Sequence, residues 1–230
     1  MNDVLTLKPI AHIKTDFPTK FGIPRQSGIV DTLIGKIIFE DEFRDAQAIR
    51  CLDEYSHIWL IWGFSLNGNS WSSTVRPPKL GGNKRVGVFA SRSPFRPNPL
   101  GLSSVKIIKI ENDKNCGPVI YVSGADLMDH TPIYDIKPYL VYTDSHPEAL
   151  GGYSKSTNEA LVKVEFPEVL LFKLPSDIRH TVISILAQDP HPSYKNDPYR
   201  IYYMEYSDFE IGFTVGEKGV SVCSVKNRQH

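Results

Sequence analysis

Residues Val75–Ser103 read VRPPKLGGNKRVGVFASRSPFRPNPLGLS, a stretch that combines proline, glycine, arginine and lysine and contains no acidic residue. The acid-free window is wider and runs from Tyr55 to Ile110. Its basic residues are Arg76, Lys79, Lys84, Arg85, Arg92, Arg96, Lys106 and Lys109. The whole chain is neutral, with 26 acidic and 26 basic residues. Positive charge gathered in one segment of a neutral chain is what binding a polyanion requires.

The centre of this stretch, residues 92–101, reads RSPFRPNPLG and contains two arginines and three prolines. Proline fixes its own φ and restricts the residue before it, so the loop is stiff. A stiff loop that presents guanidinium groups suits the planar recognition of carboxylates or phosphates. A solvated charge run is the alternative, but such runs seldom contain Phe89, Phe95 and this proline spacing.

The composition is that of an ordinary soluble globular protein, with 230 residues of which 41% are hydrophobic and 23% charged. This length fits one large domain or one domain with a smaller annex. The N-terminal sequence MNDVLTLKPIAHI lacks the pattern of a secretory signal, and no apolar run approaches the roughly 20 residues that cross a bilayer. Three cysteines without CxxC spacing argue against a disulfide framework. We therefore expect a cytoplasmic protein that does not enter a membrane.

Familiar catalytic signatures are absent from the sequence. It contains no Walker lysine loop, no GxGxxG after a strand, no HExxH and no GxSxG. Its seven histidines are scattered and do not form a ligand pattern with the cysteines. These absences argue against dinucleotide-binding and hydrolase chemistry, and we expect no metal ion.

Apolar, β-branched and aromatic runs between loops rich in Pro, Gly and Asn predict a mainly β fold for the first 150 residues. The predicted strands are Ile10–Lys14, Gly35–Phe39, His57–Trp62, Val86–Phe89, Ser103–Ile110, Val119–Ser123 and Ile136–Val141. Their spacing is typical of a barrel or sandwich rather than of alternating βα units. A short helix is predicted at Asp41–Leu52, where Phe43, Ala46 and Ile49 recur on one face.

A second composition begins near His146 and predicts a small α+β domain over residues 151–230, after a domain of residues 1–150. Its predicted elements are a strand at Leu161–Phe166, a helix at Ser176–Gln188, and strands at Tyr199–Tyr206, Phe209–Val215 and Val220–Val225. Ser176 can cap the helix, and Asp189-Pro190 can end it. The predicted fold class is therefore mainly β, and α+β for the chain as a whole.

Three further motifs place polar residues in apolar or turn-forming sequence. Residues 22–28, GIPRQSG, form a stiff loop that presents a guanidinium and an amide, or a plain surface turn. In residues 54–62, EYSHIWLIW, His57 begins an apolar strand and is either a site residue or a core histidine at a barrel rim. In residues 124–139, GADLMDHTPIYDIKPY, Asp126 and Asp129 bracket two soft apolar residues. That segment can hold an adenine, or its acids can simply cap turns.

These four motifs, in this order and spacing, resemble the TsaA-like family of TrmO-type tRNA methyltransferases. The sequence RPPKLGGNKRVGVFASRSPFRPNPLGLS is close to the signature of that family. PRQSG, DLMDHTPIYDIKPYL and the later AQDPHPSY also match its pattern, so the similarity runs from Ile10 to Val215. The resemblance implies an S-adenosylmethionine-dependent enzyme with an N-terminal β-barrel, which works as a homodimer with the cofactor near the interface. The implied reaction is N6-methylation of threonylcarbamoyladenosine at position 37 of tRNA, beside the anticodon.

Carried over motif by motif, the resemblance also implies a set of cofactor-binding residues. They are Pro24, Arg25, Gln26, His57, Ile58, Arg92, Leu102, Asp126, Leu127, Met128 and Asp129. The chain departs from the family pattern at His130, where a small or amide residue is more usual.

Methyl transfer from a sulfonium to nitrogen is an in-line displacement that needs no metal and no protein nucleophile. Alignment of the reacting atoms is then the main source of rate. The carbamoylated N6 is a poor nucleophile, and a group that accepts its proton would assist the reaction. Asp189 and Tyr194 are candidates for substrate contact or catalysis, or they belong to a segment that only ends a helix and packs.

Arginine is well suited to bind both the threonyl carboxylate and the anticodon-loop phosphates. The candidates are Arg85 and Arg96, with Arg76, Lys79 and Lys84 as looser phosphate contacts. Position 37 lies in a single-stranded loop, so its base can be presented without opening a duplex. Trp71 and Phe95 either stack on bases or pack in the core.

Three classes of function remain open at this point. The first is the tRNA methyltransferase, and the second is a methyltransferase of the same fold with another RNA or a small molecule as acceptor. The third is a non-enzymatic module that binds S-adenosylmethionine or RNA as a regulator. Transfer of a labelled methyl group to tRNA separates the three.

Overall fold

The computed structural model describes residues 4–66, 70–77, 80, 84–154, 161–191, 197 and 199–228. The strands are β1 (Ala11–Lys14), β2 (Ile34–Phe39), β3 (His57–Gly63), β4 (Thr74–Val75), β5 (Val86–Gly87), β6 (Leu100–Asp113), β7 (Gly117–Ser123), β8 (Thr131–Pro138), β9 (Val164–Glu165), β10 (Tyr202–Tyr206), β11 (Phe209–Gly216) and β12 (Gly219–Asn227). The α-helices are α1 (Val141–Asp144), α2 (Glu168–Leu171) and α3 (Ser176–Leu186).

The chain forms two compact units that are not continuous in sequence. The barrel unit contains Met1–Thr15, Gln26–Ser72 and Pro94–Leu140. The second unit contains Asp16–Arg25, Ser73–Ser93 and Val141–His230. The division at residue 150 that the composition suggests stays a prediction.

Six antiparallel strands close the barrel unit in the order β1-β2-β7-β6-β3-β8. Successive residues of a strand point to opposite faces, so alternate side chains fill the interior. In β2, for example, Ile37 and Phe39 are buried whereas Lys36 is exposed. Ile58, Leu60 and Ile120 contribute fully buried side chains to the same core. The predicted N-terminal β-barrel is confirmed.

The second unit is built on a four-stranded sheet in the order β10-β11-β12-β9, with only β9 parallel to its neighbour. Helix α3 buries Val182, Ile185 and Leu186 along one stripe. Phe17 packs edge-on against Tyr206 with 5.2 Å between ring centroids. The predicted small α+β part is confirmed. None of the described helices is long and apolar enough to cross a membrane.

The predicted helix at Asp41–Leu52 is wrong. The segment forms three separate 3-10 turns, which are Asp41–Phe43, Ala46–Ile49 and Leu52–Glu54. The Asp45 side chain accepts a hydrogen bond from the Gln47 backbone N–H, which favours a new turn over a continued helix. Cys51 then takes a left-handed conformation with φ of 63°, which ends the second turn.

Other local predictions also differ from the structure. The predicted strand Leu161–Phe166 is only the two-residue β9, Val164–Glu165. Strand β5 covers only the first two residues of Val86–Phe89, because the backbone enters a 3-10 turn at Val88. Strand β8 begins at Thr131, earlier than the predicted Ile136–Val141. Ser176 does not cap α3, since the proline before it occupies the N-cap and no side chain donates or accepts there.

Candidate functional site

The loop Gly124–His130 between β7 and β8 closes one mouth of the barrel. Ala125 and Leu127 point inward and belong to the core, with 2% and 1% of their surface exposed. The residues between and after them, Asp126 and Met128, are half-buried. Ala125 and Leu127 therefore anchor this motif in the core, whereas Asp126 and Met128 stay partly accessible to a ligand.

A chain of two hydrogen bonds fixes the Asp126 carboxylate from inside the barrel. The Trp62 indole N–H donates to the Ser103 hydroxyl oxygen at 3.0 Å. The Ser103 hydroxyl in turn donates to Oδ1 of Asp126 at 2.6 Å. Ser103 is 1% exposed, so these bonds form where little water competes. Gly101 makes room for the indole, because an added Cβ would lie 2.2 Å from Cε2 of Trp62.

Thr15 anchors the other end of the loop. Its backbone N–H donates to Oδ1 of Asp129 at 3.0 Å, and its hydroxyl donates to the carbonyl of Leu127 at 3.1 Å. His130 follows with φ of 59°, and its N–H donates to the carbonyl of Ile13 at 2.9 Å. A left-handed position explains why a small or amide residue suits position 130.

The GIPRQSG and GADLMD motifs meet through their glycines. The Gly28 N–H donates to the Gly124 carbonyl at 2.9 Å, and the Gly124 N–H donates to the carbonyl of Leu33 at 2.8 Å. A Cβ on Gly124 would lie 2.9 Å from both Cα and N of Gly28, so the two backbones touch. The half-buried Gln26 lies two residues before this contact. Two motifs almost a hundred residues apart in sequence thus form one structural element.

The proline-rich loop enters the barrel beside the same mouth. The Arg96 N–H donates to the carbonyl of Pro94 at 2.9 Å, and the Phe64 N–H donates to the carbonyl of Pro99 at 2.9 Å. The second bond holds the loop against the end of β3. Ser103 lies on β6 three residues after its first residue, opposite Leu60 of β3. Leu102 points outward with 52% of its surface exposed, which leaves apolar area available to a ligand.

His57 and Ile58 occupy the start of β3. His57 lies opposite Lys106, whose partner on the other side is Ser123 at the end of β7. One strand therefore separates His57 from the strand that leads into the Gly124 loop, a distance of about 10 Å at the usual strand spacing. The Ile58 side chain is fully buried in the barrel core, and Ile58 stays a predicted contact.

The remaining candidates belong to the second unit. Pro24 is buried, whereas Arg25 and Arg92 are exposed. The short ribbon of β4 and β5 carries the exposed Arg76, Lys84 and Arg85. Arg85 donates from Nε to the Thr74 hydroxyl at 2.7 Å and from a terminal nitrogen to the Thr74 carbonyl at 3.3 Å. Lys79 lies outside the described residues.

Asp189 sits after α3 in a left-handed conformation with φ of 51°. Its carboxylate contacts Nδ1 of His191, whose ring lies 5.9 Å from that of Tyr202. Tyr194 lies outside the described residues. Asp189 and Tyr194 stay predicted residues for substrate contact or catalysis.

Trp71 and Phe95 do not pack in the core, because 55% and 50% of their respective surfaces are exposed. Their alternative role as stacking partners stays a prediction. In the described part of the chain, no group of three or more His, Cys, Asp or Glu is arranged to hold a metal ion.

Sequence reasoning missed Ser103, Trp62, Thr15 and the contact of Gly124 with Gly28. A serine within an apolar strand is a weak signal, because it commonly makes a local bond. Trp62 is buried in the barrel, and in the sequence it is one residue of an apolar run. Only the fold shows that Trp62 bonds to Ser103 and that Ser103 bonds to Asp126.

The residues at the barrel mouth suit an amphipathic ligand that carries hydrogen-bond donors. Asp126 supplies a fixed carboxylate acceptor, and Met128 and Leu102 supply apolar surface. The backbone carbonyls of Leu127 and Met128 accept from the Thr15 and Thr131 hydroxyls, which fixes this part of the loop. Adenosine with an amino-acid tail has this combination of rings, hydroxyls and ammonium group.

Comparison with known proteins gives a consistent result across the chain. A tRNA (adenine(37)-N6)-methyltransferase of Escherichia coli (strain K12) is 36% identical over 229 residues, which cover 95% of this chain and 97% of that protein. Its counterpart in Eikenella corrodens is 43% identical over 169 residues, which cover 73% and 94%. The crystal structure of TrmO from Pseudomonas aeruginosa has a TM-score of 0.75 at 27% identity and covers 97% of this chain and all of that one.

Family models match both parts of the sequence. The model of the tRNA-methyltransferase O N-terminal domain matches residues 12–145, and that of the TrmO C-terminal domain matches residues 159–228. Together they account for most of the 230 residues. The chain therefore belongs to the tRNA-methyltransferase O family.

Proposed function

We propose that this protein transfers a methyl group from S-adenosylmethionine to N6 of adenine 37 in tRNA. The observation that carries the proposal is the Asp126 carboxylate, held by Ser103 at the barrel mouth on the loop where the family motif lies. Relatives in Escherichia coli and Eikenella corrodens bear the name of this activity. A relative in Pseudomonas aeruginosa is named a putative S-adenosylmethionine-dependent methyltransferase, which supports the same donor.

The donor, when bound, supplies a methyl group on a sulfonium. Asp126 would accept hydrogen bonds from its amino or hydroxyl groups, and Ser103 keeps that carboxylate in one orientation. Gln26, Leu102, Met128 and the backbone of Leu127 are further proposed contacts from the barrel unit. His57, Asp129, Pro24, Arg25 and Arg92 stay predicted contacts.

In the proposed reaction, these residues orient the methyl donor relative to the acceptor nitrogen. A displacement at a methyl group depends on alignment of the donor and acceptor, and a rigid frame contributes through it. The bonds of Thr15 to Asp129 and Leu127, together with the contact of Gly28 with Gly124, make the loop such a frame. No group is assigned as the acceptor of the N6 proton.

We further propose that the acceptor adenine already carries a threonylcarbamoyl group. Arg96, half-buried in a loop stiffened by prolines, is the proposed partner of its threonyl carboxylate. Arg76, Lys84 and Arg85 on the β4–β5 ribbon are proposed phosphate contacts, and Thr74 orients the Arg85 guanidinium. A homodimer is also proposed, from the family resemblance. A cytoplasmic location is proposed, because all three cysteines are free thiols and the substrate is tRNA.

Transfer of a radiolabelled methyl group tests the proposal. Purified protein is incubated with labelled S-adenosylmethionine and with two forms of one tRNA, with and without the threonylcarbamoyl group. We expect label on N6 of adenine 37 in the modified tRNA only. Equal labelling of both forms would refute the threonylcarbamoyl requirement, and binding of the donor without transfer to any tRNA pool would refute the enzyme.

A further inference from the structure

A row of cationic and aromatic side chains crosses four adjacent strands on the outside of the barrel. Lys14 on β1 lies opposite Lys36 on β2, Lys36 lies opposite Tyr121 on β7, and Tyr121 lies opposite Lys109 on β6. The three lysines are exposed and Tyr121 is half-buried. Three strand spacings give this lysine–tyrosine row a length of about 14 Å.

Tyr121 organises the two lysines beside it. The ammonium nitrogens of Lys36 and Lys109 lie 5.5 Å and 4.4 Å from the centroid of its ring. Such cation–π contacts restrain both side chains on the surface. Glu111 lies 2.5 Å from the Lys109 nitrogen and raises the pKa of Lys109, with Tyr121 adding to the shift. The row thus contains three ammonium groups, of which that of Lys109 is paired with Glu111.

One pairing within the row opposes the stability of the barrel. Like charges directly opposite each other on neighbouring strands are destabilising, and Lys14 and Lys36 form such a pair. Lys106, exposed on the same face of β6 and opposite Ser123, adds a further positive charge beside the row. An anionic ligand bound across the row would relieve this repulsion, and a row of ammonium groups suits a chain of phosphates.

The row also leads toward the candidate site. Strand β7 runs from Tyr121 through Ser123 into Gly124, and Asp126 follows two residues later. Five residues of chain span at most about 18 Å, so the row lies within a few nucleotides of the Asp126 carboxylate. Both belong to the barrel unit.

We propose that the lysine–tyrosine row binds the phosphate backbone of the tRNA whose adenine is methylated at the barrel mouth. The inference rests on the proposed function for the identity of the nucleic acid. Lys14, Lys36 and Lys109 contact phosphates, and Tyr121 holds two of these lysines in position and offers its hydroxyl as a donor.

The test measures tRNA affinity by fluorescence anisotropy over a series of salt concentrations. The double variant Lys14→Gln/Lys36→Gln removes two phosphate contacts and keeps Tyr121. We expect affinity near physiological salt to fall on the order of tenfold, and the slope of log K against log salt to decrease by about 1.5. The matched control is Lys114→Gln/Lys137→Gln, which removes two exposed charges elsewhere on the barrel unit and leaves affinity and slope unchanged.

Two further measurements make the result unambiguous. Calorimetric titration with S-adenosylmethionine reports whether the variant is folded and its donor site intact, and urea unfolding of the variant is expected at equal or higher urea concentration. If the unaltered protein methylates tRNA but the double variant matches the control in affinity and slope, the row is not an RNA surface and the proposed function stands. If the unaltered protein binds no tRNA, both proposals are overturned. If the double variant instead dissociates an oligomer and binds tRNA normally, the row is a contact between copies of the chain and the inference is overturned.

Discussion

The hydroxyl of Ser103 lies 2.6 Å from Oδ1 of Asp126 and accepts the indole N–H of Trp62 at 3.0 Å. Because the hydroxyl oxygen already accepts from the indole, its single proton is directed at the carboxylate. A short bond from a neutral donor to a carboxylate belongs to the stronger class of protein hydrogen bonds. The barrel interior therefore sets the orientation of an acid that lies at its mouth.

Removal of this hydroxyl tests its role in positioning the acid. We expect Ser103→Ala to lower the free energy of unfolding by about 1–3 kcal/mol, because the buried Trp62 N–H loses its acceptor. We also expect S-adenosylmethionine to bind roughly tenfold more weakly, since Asp126 loses its orientation. Urea unfolding and calorimetric titration measure the two effects. Ser104→Ala removes a hydroxyl from the next residue and is the control, and equal donor affinity in the two variants would contradict the role of Ser103.

The contact of Gly124 with Gly28 makes a second prediction. Gly124→Ala introduces a side chain at φ of 76° and also places a Cβ against the backbone of Gly28. Gly28→Ala introduces the same kind of strain at φ of 77° with open space around the new Cβ. We expect a loss of about 1–2 kcal/mol for Gly28→Ala and a larger loss for Gly124→Ala, together with weaker donor binding. Equal losses in unfolding free energy would show that the close contact between the two loops adds nothing to stability.

At position 130 we expect a substitution that raises the free energy of unfolding. His130 has φ of 59°, a conformation that asparagine adopts more readily than most residues. We expect His130→Asn to raise the free energy of unfolding by up to about 1 kcal/mol and to retain donor affinity, because the N–H bond to Ile13 remains. His130→Val places a β-branched residue there and should lose about 1–2 kcal/mol. A destabilised asparagine variant would mean that the imidazole stack on His12, with 5.8 Å between centroids, outweighs the backbone preference.

We expect the ionisation of Tyr206 to affect the stability of the protein at alkaline pH. Burial raises the pKa of Tyr206 above its ordinary value of 10.0, and the nearby Asp16 carboxylate adds to the shift. Below the ordinary value both the folded and the unfolded chain keep the proton, so stability is unaffected. As the pH rises above it, the unfolded chain releases the proton and the folded chain does not, so stability falls. The control is Tyr203→Phe, which changes a half-exposed tyrosine on the same strand, β10. We expect the unfolding free energy to decline less between about pH 9 and about pH 11 in Tyr206→Phe than in this control. The same decline in both would contradict the shift.

The barrel was predictable because its strands are apolar runs rich in β-branched and aromatic residues, between loops rich in Pro, Gly and Asn. Strand β3 is such a run, although its sequence does not show which side chains, Ile58, Leu60 and Trp62, are buried. The segment Asp41–Leu52 shows the limit of such patterns. Phe43 and Ile49 do pack against the barrel core, whereas Ala46, the third member of the predicted face, is exposed. Hydrogen bonds local to Asp45 decided the backbone there, and periodicity carries no information about them.

The motifs identified the loop of the candidate site but not its supports. Asp126 and Asp129 were candidates from the sequence, whereas Ser103 and Thr15 reach them across 23 and 114 residues of chain. Contacts of that range depend on strand register, which single-sequence patterns leave open. His130 shows the reverse case, because an unusual residue in a motif marked a backbone position that the structure then explained.

The central claim is that the methyl donor binds at the barrel mouth against the Gly124–His130 loop. A crystal structure of the protein with S-adenosylhomocysteine, the product form of the donor, tests it most directly. We predict that the ligand lies within hydrogen-bond distance of the Asp126 carboxylate or of the backbone of Leu127–Asp129. A ligand bound elsewhere, with no contact to that loop, would contradict the account.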